Sequence, residues 1–217
     1  IARMLGLSRS TVFRLLHTLE RHGLITRPGE REVRLGPAVL GLGHAFTAGR
    51  DLVELARPVL ERLRDETGVS THLGVLEGTV VLYLARAASR QVVISNIGVG
   101  ARLPAGRTTM GRVLLAAAPE AARRAALQAG AAPSDWAEFS AMLEADAARG
   151  VVVARSAYEP GMVSVAAPVR DHAGHVVAAV NASAPEAVLK LAEGETRVAP
   201  LVRRAAAALS AALGGAG

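Results

Sequence analysis

The sequence predicts an α+β protein in which a short helical region is followed by a larger domain with an antiparallel sheet. Three observations predict it: two short helical patterns broken at Gly6, apolar alternation through residues 24–35, and later strand patterns interleaved with helical ones. The 217 residues suffice for one small and one medium domain. We therefore predict a first domain at 1–36, a linker helix at 37–50 and a second domain at 51–217.

The first domain consists of short elements. Residues 1–7 and 8–22 predict two helices that break at Gly6, because glycine adopts a positive φ without strain. Residues 24–35 alternate between apolar and polar side chains around a Pro-Gly pair, which predicts a β-hairpin. The chain opens inside a patterned segment, so we expect the first helix of this domain to precede residue 1.

The second domain mixes strands and helices, with tight turns that favour antiparallel pairing. Its first helix carries Pro58, which predicts a kink or a later start. A Gly-rich stretch, 98–106, precedes a further helix. The predicted strands are 69–76, 79–86, 91–97, 151–155, 162–170 and 175–183, and the later helices are 109–117, 119–149 with a break at 130–134, and 196–213.

Composition excludes several classes of protein. Without cysteine, the chain forms no disulfide and no thiolate metal site. No apolar run approaches the roughly 20 residues that span a bilayer, so we expect no membrane association and a cytoplasmic location. Residues 1–50 contain eight arginines and three glutamates, a net charge of +5, out of +6 for the whole chain. That concentration is typical of a surface that meets phosphate.

The spacing of small and aliphatic residues in the first domain predicts a helix-turn-helix. Such a motif needs a small residue where its helices touch, a residue that tolerates a positive φ at the turn, and a buried aliphatic in the second helix. Ala2, Gly6 and Val12 meet these needs in the order Ala-x3-Gly-x5-Val. The buried face of the second helix is predicted to comprise Val12, Leu15, Leu16 and Leu19.

The opposite face of the second helix is polar and basic, and Ser8 is its predicted N-cap. Arginine, serine and histidine are side chains that reach base edges and phosphates in a major groove, and the hairpin arginines would form a wing on the backbone. The alternative is an Arg-rich helix pair that packs against its own protein. The candidate DNA-binding residues are Ser8, Arg9, Ser10, Thr11, Phe13, Arg14, His17, Arg27, Arg31 and Arg34.

Together these motifs resemble the isocitrate-lyase-regulator (IclR) family of bacterial transcription factors. Six blocks occur in the family's order, which makes the resemblance specific. They are LSRSTVFRLLHTLERHGLITR (7–27), VRLGPAVLGLG (33–43), ELARPVLERLRDETG (54–68), VGARLPAGRTTMGRVLLAA (99–117), RGVVV (149–153) and GMVSVAAPVRDHAGHVVAAVNAS (161–183).

The resemblance implies an N-terminal winged helix-turn-helix, a linker helix and a C-terminal effector-binding domain with a GAF-like α/β fold. It implies homodimers, often paired into tetramers, on double-stranded operator DNA. It implies no catalysis and no cofactor. The segment TTMGRVLLA (108–116) is similar to the branch that regulates aromatic catabolism through protocatechuate, 4-hydroxybenzoate and β-ketoadipate.

The family's effector site maps onto the start of the helix after the Gly-rich stretch and onto two strands. A helix N-terminus suits a carboxylate because its unpaired N–H groups and its dipole favour negative charge. Asn181 and Ser183 alternate, so both face one side of the last strand and need hydrogen-bond partners. The candidate effector-binding residues are Arg102, Thr108, Thr109, Met110, Gly111, Met162, Ser164, Asn181 and Ser183.

A purely structural interpretation of these residues stays open: Thr109 caps its helix, and Asn181 and Ser183 satisfy local backbone groups. Family members that sense small oxoacids carry acidic residues where this chain has Ala-Arg-Ser-Ala at 154–157, with Glu159 nearby. That departure favours a larger organic acid as effector, such as an aromatic one.

Two other functions compete with a ligand-controlled regulator. For an enzyme, residues 98–100 are similar to part of a dinucleotide loop, but no later glycine has the required spacing. His172 and His175 lie three apart without a carboxylate cluster, which indicates a polar hairpin tip and no metal site. The second alternative is a DNA-binding protein whose C-terminal domain only dimerises.

Overall fold

The protein is described by a computed structural model, which divides into two compact units, Ile1–Asp51 and Leu52–Gly217. Residues 38–42 are helical, whereas 43–50 of the predicted linker helix and 91–96 of a predicted strand lie outside the described residues. The described residues are 1–29, 32–42, 51–90 and 97–214.

The N-terminal unit contains the predicted helix pair and hairpin. Gly6 ends the first helix with a φ of 64°, and its N–H donates to the carbonyl of Ala2, so the predicted break is confirmed. The hairpin strands are antiparallel. The elements are α1 (Ala2–Leu5), α2 (Arg9–Arg21), β1 (Ile25–Gly29) and β2 (Glu32–Leu35).

The predicted buried face of α2 is only partly buried. Val12 is buried and Leu16 is half-buried, but Leu15 and Leu19 are 50% and 37% exposed. Their assignment to the core was therefore wrong for this unit. Helical periodicity places Leu15 and Leu19 on the same side as Val12, but it does not establish that another element covers them.

The C-terminal unit is built on a six-stranded sheet. All its strands are antiparallel, in the order β5-β4-β3-β8-β7-β6. Its elements are α3 (Asp51–Thr67), β3 (Ser70–Glu77), β4 (Val80–Ala87), β5 (Arg102–Pro104), α4 (Thr109–Ala116), α5 (Glu120–Gln128), α6 (Trp136–Arg149), β6 (Val152–Arg155), β7 (Met162–Arg170), β8 (Val176–Pro185) and α7 (Ala199–Ala212). A short α-helical turn, Leu191–Glu193, and a π-helical turn, Gly194–Val198, lead into α7.

The sheet separates two apolar clusters, one under α3 and α7 and the other under α4, α5 and α6. Alternation along β7 assigns Val163 and Val165 to the first cluster and Ala166 to the second. Ser164 lies on the same face as Ala166, so a polar group faces the α4 side. The α+β class is confirmed, and so is the antiparallel sheet.

Two local predictions need correction. Helix α3 runs through Pro58, so a later start was wrong. The Gly-rich stretch contains β5 and a 3₁₀ turn, Ala105–Arg107. A strand of three residues is too short for alternation to reveal it. Gly111 lets α4 approach this turn closely, because a Cβ there would overlap the carbonyl of Ala105.

Candidate functional site

The polar face of α2 is open to solvent. The Ser8 hydroxyl accepts a hydrogen bond from the Thr11 N–H at 3.1 Å, which caps the helix. Phe13 is 62% exposed, and Thr11 is half-buried. Among the candidate DNA-binding residues on α2, the exposed ones are Ser8, Arg9, Ser10, Phe13, Arg14 and His17.

The hairpin arginines differ from one another. The Arg27 guanidinium lies 3.3 Å from the Glu20 carboxylate and 5.6 Å from the centre of the Phe13 ring. It is therefore engaged within its own unit. Arg34 is exposed and pairs with Glu32 at 2.7 Å. Arg31 lies outside the described residues.

In the C-terminal unit, a small cavity lies where α4 begins, beside β4, β7 and β8. Its volume is about 30 Å³, room for about one water molecule. Threonine, serine and asparagine share the lining with tyrosine and one carboxylate. The described lining residues are Tyr83, Ile97, Leu103, Thr108, Thr109, Met110, Ser156, Tyr158, Glu159, Met162, Ser164, Asn181 and Ser183.

This cavity brings together seven of the nine candidate effector-binding residues. The other two, Arg102 and Gly111, are not among its described lining. Arg102 is exposed and pairs with Glu77 at 2.7 Å on the edge of the sheet. The Gly111 N–H donates to the Thr108 hydroxyl at 3.1 Å and caps α4. Thr109 and Met110 are the first two residues of α4, so their N–H groups have no acceptor within the helix, and both residues line the cavity.

Three buried polar side chains, those of His72, Asn181 and Ser164, are hydrogen-bonded in series across the sheet at this cavity. His72 Nδ1 lies 2.9 Å from Asn181 Oδ1, and Asn181 Nδ2 donates to Ser164 Oγ at 3.0 Å. Burial lowers the pKa of His72 to about 4, against the opposing effect of the Asn181 hydrogen bond, so the imidazole is neutral at pH 7. The charge of Arg86 lowers this pKa further.

Residues 156–161 form one wall of the cavity. Arg107 donates from Nη2 and Nε to the carbonyl of Ala157 at 2.8 and 3.3 Å. Within the segment, the Glu159 N–H donates to the Ser156 hydroxyl at 3.0 Å. Burial raises the pKa of Tyr83 above its usual range, and the nearby Glu159 carboxylate adds to the effect. An anchored segment thus holds a carboxylate near a buried phenol.

Three larger described clefts, of about 100, 230 and 320 Å³, lie elsewhere in the unit, and the two largest share Gly150, Pro168 and Arg170. The charged groups of these two already have partners. The Asp146 carboxylate accepts two hydrogen bonds from Arg112 at 2.8 Å, and Arg170 Nη1 donates to a turn carbonyl. In the smaller cavity, by contrast, the Ser164 hydroxyl accepts a hydrogen bond from Asn181 and keeps its own hydrogen to donate.

The described residues bear on two further patterns, those of a metal site and of a membrane-spanning helix. No group of three histidine, aspartate or glutamate side chains there is arranged to hold a metal ion. His175 Nδ1 instead lies 3.6 Å from the Asp171 carboxylate at the β7–β8 turn. Among the described helices, none has the length and apolarity to cross a bilayer.

Sequence reasoning missed several residues at the cavity. His72 sits opposite Asn181 in the β3–β8 register, and this pairing of residues 109 apart leaves no local signal. Tyr83 reaches the cavity from β4 in the same way. Ser70 and His72 alternate on one face of β3, and this polar pattern was the available signal that His72 belongs to a site. The pattern does not show which strand pairs with β3, so it could not predict the contact with Asn181.

In the chain, a helix-turn-helix with an open basic face precedes an α+β unit that holds a polar cavity, and a helix-turn-helix of this kind is typical of DNA-binding transcriptional regulators. The family model "Bacterial transcriptional regulator IclR C-terminal" matches residues 44–211, and "IclR helix-turn-helix domain" matches residues 1–29. The chain therefore belongs to the IclR family, as its motifs predict.

Individual relatives are similar over most of the chain. The Pca regulon regulatory protein of Pseudomonas putida is 36% identical over 210 residues, which cover 93% of this chain and 72% of that protein. The crystal structure of an IclR transcriptional regulator from Alicyclobacillus acidocaldarius has a TM-score of 0.83 and 27% identity, covering 99% of this chain and 88% of its own. An IclR homolog from Microbacterium hydrocarbonoxydans, complexed with 4-hydroxybenzoate, has a TM-score of 0.81 and 26% identity, covering 98% and 88%.

Proposed function

We propose that this regulator binds operator DNA in a sequence-specific way and that a small organic acid in the C-terminal cavity changes its affinity for that DNA. The observation that carries the proposal is the donor-rich lining of the cavity. The start of α4, Asn181 and Ser164 offer N–H and O–H groups to this space, whose lining contains several further hydroxyl groups and one carboxylate, that of Glu159. Such a lining suits an anionic oxygen better than a cation.

The size of the cavity adds a condition. A drug-sized ligand occupies a pocket of roughly 300 to 1,000 Å³, about tenfold more than the 30 Å³ in this conformation. An aromatic acid therefore enters only if a wall moves, and the anchored segment 156–161 is the wall that carries exposed side chains. The relative with 4-hydroxybenzoate makes that acid the first compound to test.

The link to DNA follows from thermodynamic coupling. In a homodimer in the cytoplasm, the two copies of α2 would bind two half-sites of the operator. The centres of such half-sites lie one helical turn of DNA, about 34–36 Å, or a multiple of that distance apart. An effector shifts operator affinity only by its unequal affinity for the operator-bound and free arrangements. The sign of that inequality determines whether the effector releases the protein from DNA or recruits it.

The ligand part is tested by thermal unfolding and operator binding with benzoate, 4-hydroxybenzoate, protocatechuate and β-ketoadipate. At a hundredfold excess over Kd, we expect about 2.7 kcal/mol of stabilisation from the binding acid. The same acid should change the affinity for an operator selected from random sequences. Stabilisation by none of the four acids would contradict an organic-acid effector, and stabilisation without any change in operator affinity would contradict coupling.

The DNA part is tested on α2. Arg14→Ala should weaken operator binding by about 1–3 kcal/mol and relax discrimination at one base position, if the exposed guanidinium reads a base. Arg197→Ala removes the same charge from the C-terminal unit and is the matched control, expected to leave operator binding unchanged. Equal effects of the two variants would place the DNA surface elsewhere.

A further inference from the structure

The buried chain His72–Asn181–Ser164 crosses three neighbouring strands, β3, β8 and β7. The three residues are 1%, 5% and 6% exposed, so water does not satisfy them freely. Asn181 and Ser164 line the cavity, whereas His72 stands behind Asn181. The chain is therefore a structural support that ends at the ligand space.

Each hydrogen bond of the chain has a direction. A carboxamide oxygen only accepts, so His72 Nδ1 must carry the proton in its 2.9 Å bond to Asn181 Oδ1. The Asn181 amide nitrogen then donates to Ser164 Oγ at 3.0 Å. Because Ser164 Oγ accepts this bond, its own hydroxyl hydrogen is left to donate to a group in the cavity.

The other tautomer of His72 would reverse the direction of both hydrogen bonds, the one to Asn181 and the one between Asn181 and Ser164. With the proton on Nε2, Nδ1 accepts, the Asn181 carboxamide turns over, and its oxygen takes the hydroxyl hydrogen of Ser164. Ser164 would then offer the cavity a lone pair in place of a hydrogen. The position of one buried proton thus decides whether the cavity presents a donor or an acceptor at Ser164.

The surroundings of the ring favour the first tautomer. In the described part of the protein, His72 Nε2 is buried without a hydrogen-bond partner. Native structures tolerate an unsatisfied acceptor more readily than a buried N–H without an acceptor. Arg86 is paired with His72 in the β3–β4 register, and its positive charge disfavours a second proton on the ring.

We propose that His72 is a positioning residue for the effector: as the neutral Nδ1–H tautomer it fixes the Asn181 carboxamide, so that Ser164 donates its hydroxyl hydrogen to the carboxylate of the ligand. This inference rests on the proposed function and names the interaction that would select an acid. It involves no contact between His72 and the ligand. Its role is to determine which atoms of Asn181 and Ser164, the two residues that line the cavity, donate hydrogen bonds and which accept them.

The first experiment needs no ligand. Long-range ¹H–¹⁵N correlation spectra of the full chain, with His72 assigned by comparison with the His72→Asn variant, report which ring nitrogen carries the proton. We expect Nδ1 to be protonated and Nε2 to be bare at neutral pH. An Nε2–H tautomer, or a doubly protonated ring, would overturn the inference whatever the effector is.

The second experiment measures binding of 4-hydroxybenzoate and protocatechuate by calorimetry. His72→Asn keeps a donor near the position of Nδ1 and should bind within about threefold of the unsubstituted protein, whereas His72→Leu removes the donor and should bind about tenfold to a hundredfold more weakly. Thr71→Val is the matched control. Thr71 is buried on the neighbouring position of β3, and its hydroxyl donates to the Leu60 carbonyl at 2.8 Å, away from the cavity.

The outcomes separate the two proposals. Weak binding by His72→Leu, near-normal binding by His72→Asn and normal binding by Thr71→Val would support the positioning role. Equal binding by His72→Leu and the unsubstituted protein, or equal losses in His72→Leu and Thr71→Val, would overturn it and leave the proposed function intact. If the unsubstituted protein binds neither these acids nor the others of the panel, the organic-acid effector fails, and the positioning role fails with it.

Discussion

The two units of this regulator bury their side chains to very different extents. In the described N-terminal unit, Val12 and Ile25 are the buried hydrophobic residues, and large apolar side chains such as Leu15 and Leu35 are exposed. In the C-terminal unit, two apolar clusters fill both faces of the sheet, and residues such as Phe139 are completely buried.

The comparison shows two ways of arranging functional groups. On α2, every candidate DNA-binding side chain except the half-buried Thr11 is exposed, so these side chains can change without disturbing a core. At the cavity, Ser164, Asn181 and His72 are inside the protein, where every polar group needs a partner. We therefore expect function and stability to be separable in the first unit and linked in the second.

The largest expected contrast is between two apolar truncations. Phe139→Ala should lower the free energy of unfolding of the C-terminal unit by about 3–5 kcal/mol, because it opens a cavity in a closed cluster. Leu15→Ala, at a site that is half exposed, should change stability by less than about 0.5 kcal/mol. Urea unfolding followed by circular dichroism measures both, and Trp136 fluorescence reports the second unit. A loss of several kcal/mol in Leu15→Ala would show that this face of α2 is covered in solution.

A second contrast is between two ion pairs. Arg112→Leu should cost about 3 kcal/mol, because the Asp146 carboxylate, with a side chain only 3% exposed, would lose both its hydrogen bonds to Arg112. Arg197→Ala breaks an exposed pair with Glu193 and should cost less than about 1 kcal/mol. Urea midpoints of the two variants test this difference. Replacing both Arg112 and Asp146 by leucine should recover much of the loss, and a double variant as unstable as Arg112→Leu would contradict the explanation.

A third prediction concerns pH. The pKa of His72 is about 4 when folded and about 6.5 when unfolded, so between these values the unfolded chain binds a proton that the folded chain does not. Stability is therefore complete above about pH 6.5 and falls on acidification, by about 2 kcal/mol at pH 5. The charged and titratable neighbours of the ring are Tyr83 and Arg86 on β4, and neither side-chain type titrates in this window.

His72→Asn removes the titrating group and is the variant that tests this dependence. Its free energy of unfolding should fall less steeply than that of the unsubstituted protein between pH 7 and about pH 5, since the other histidines are common to both. Parallel curves would show that the pKa of His72 is the same in the folded and the unfolded state, which would contradict its burial as a neutral ring.

The smallest expected effect is at the start of α2. Ser8→Ala should cost about 1 kcal/mol of helix stability, because the Thr11 N–H loses its acceptor. Ser10→Ala is the control: the Ser10 hydroxyl lies 2.9 Å from the Ser8 hydroxyl but does not accept from the Thr11 N–H, so its loss should cost only about 0.3 kcal/mol. Helicity by circular dichroism during thermal unfolding distinguishes them. Equal losses would mean that the cap does not anchor the helix.

The sequence by itself determined the elements and their chemistry. The Ala2–Gly6–Val12 spacing predicted the helix-turn-helix, and the chain indeed turns at Gly6 with a positive φ. Alternation predicted Asn181 and Ser183 on one face of a strand, and both line the cavity. These features follow from local rules, because helix periodicity, strand alternation and the freedom of glycine operate within a few residues.

Tertiary structure decided which elements meet. The pairing of β3 with β8 places His72 beside Asn181, and the fold brings Ser156, Tyr158 and Glu159 to the same cavity as the start of α4. Burial of Leu15 and Leu19 was also a tertiary question, and their periodicity alone gave the wrong answer. The physical reason is that burial and hydrogen-bond partners depend on residues distant in the chain, whereas periodicity records only the face on which a side chain lies.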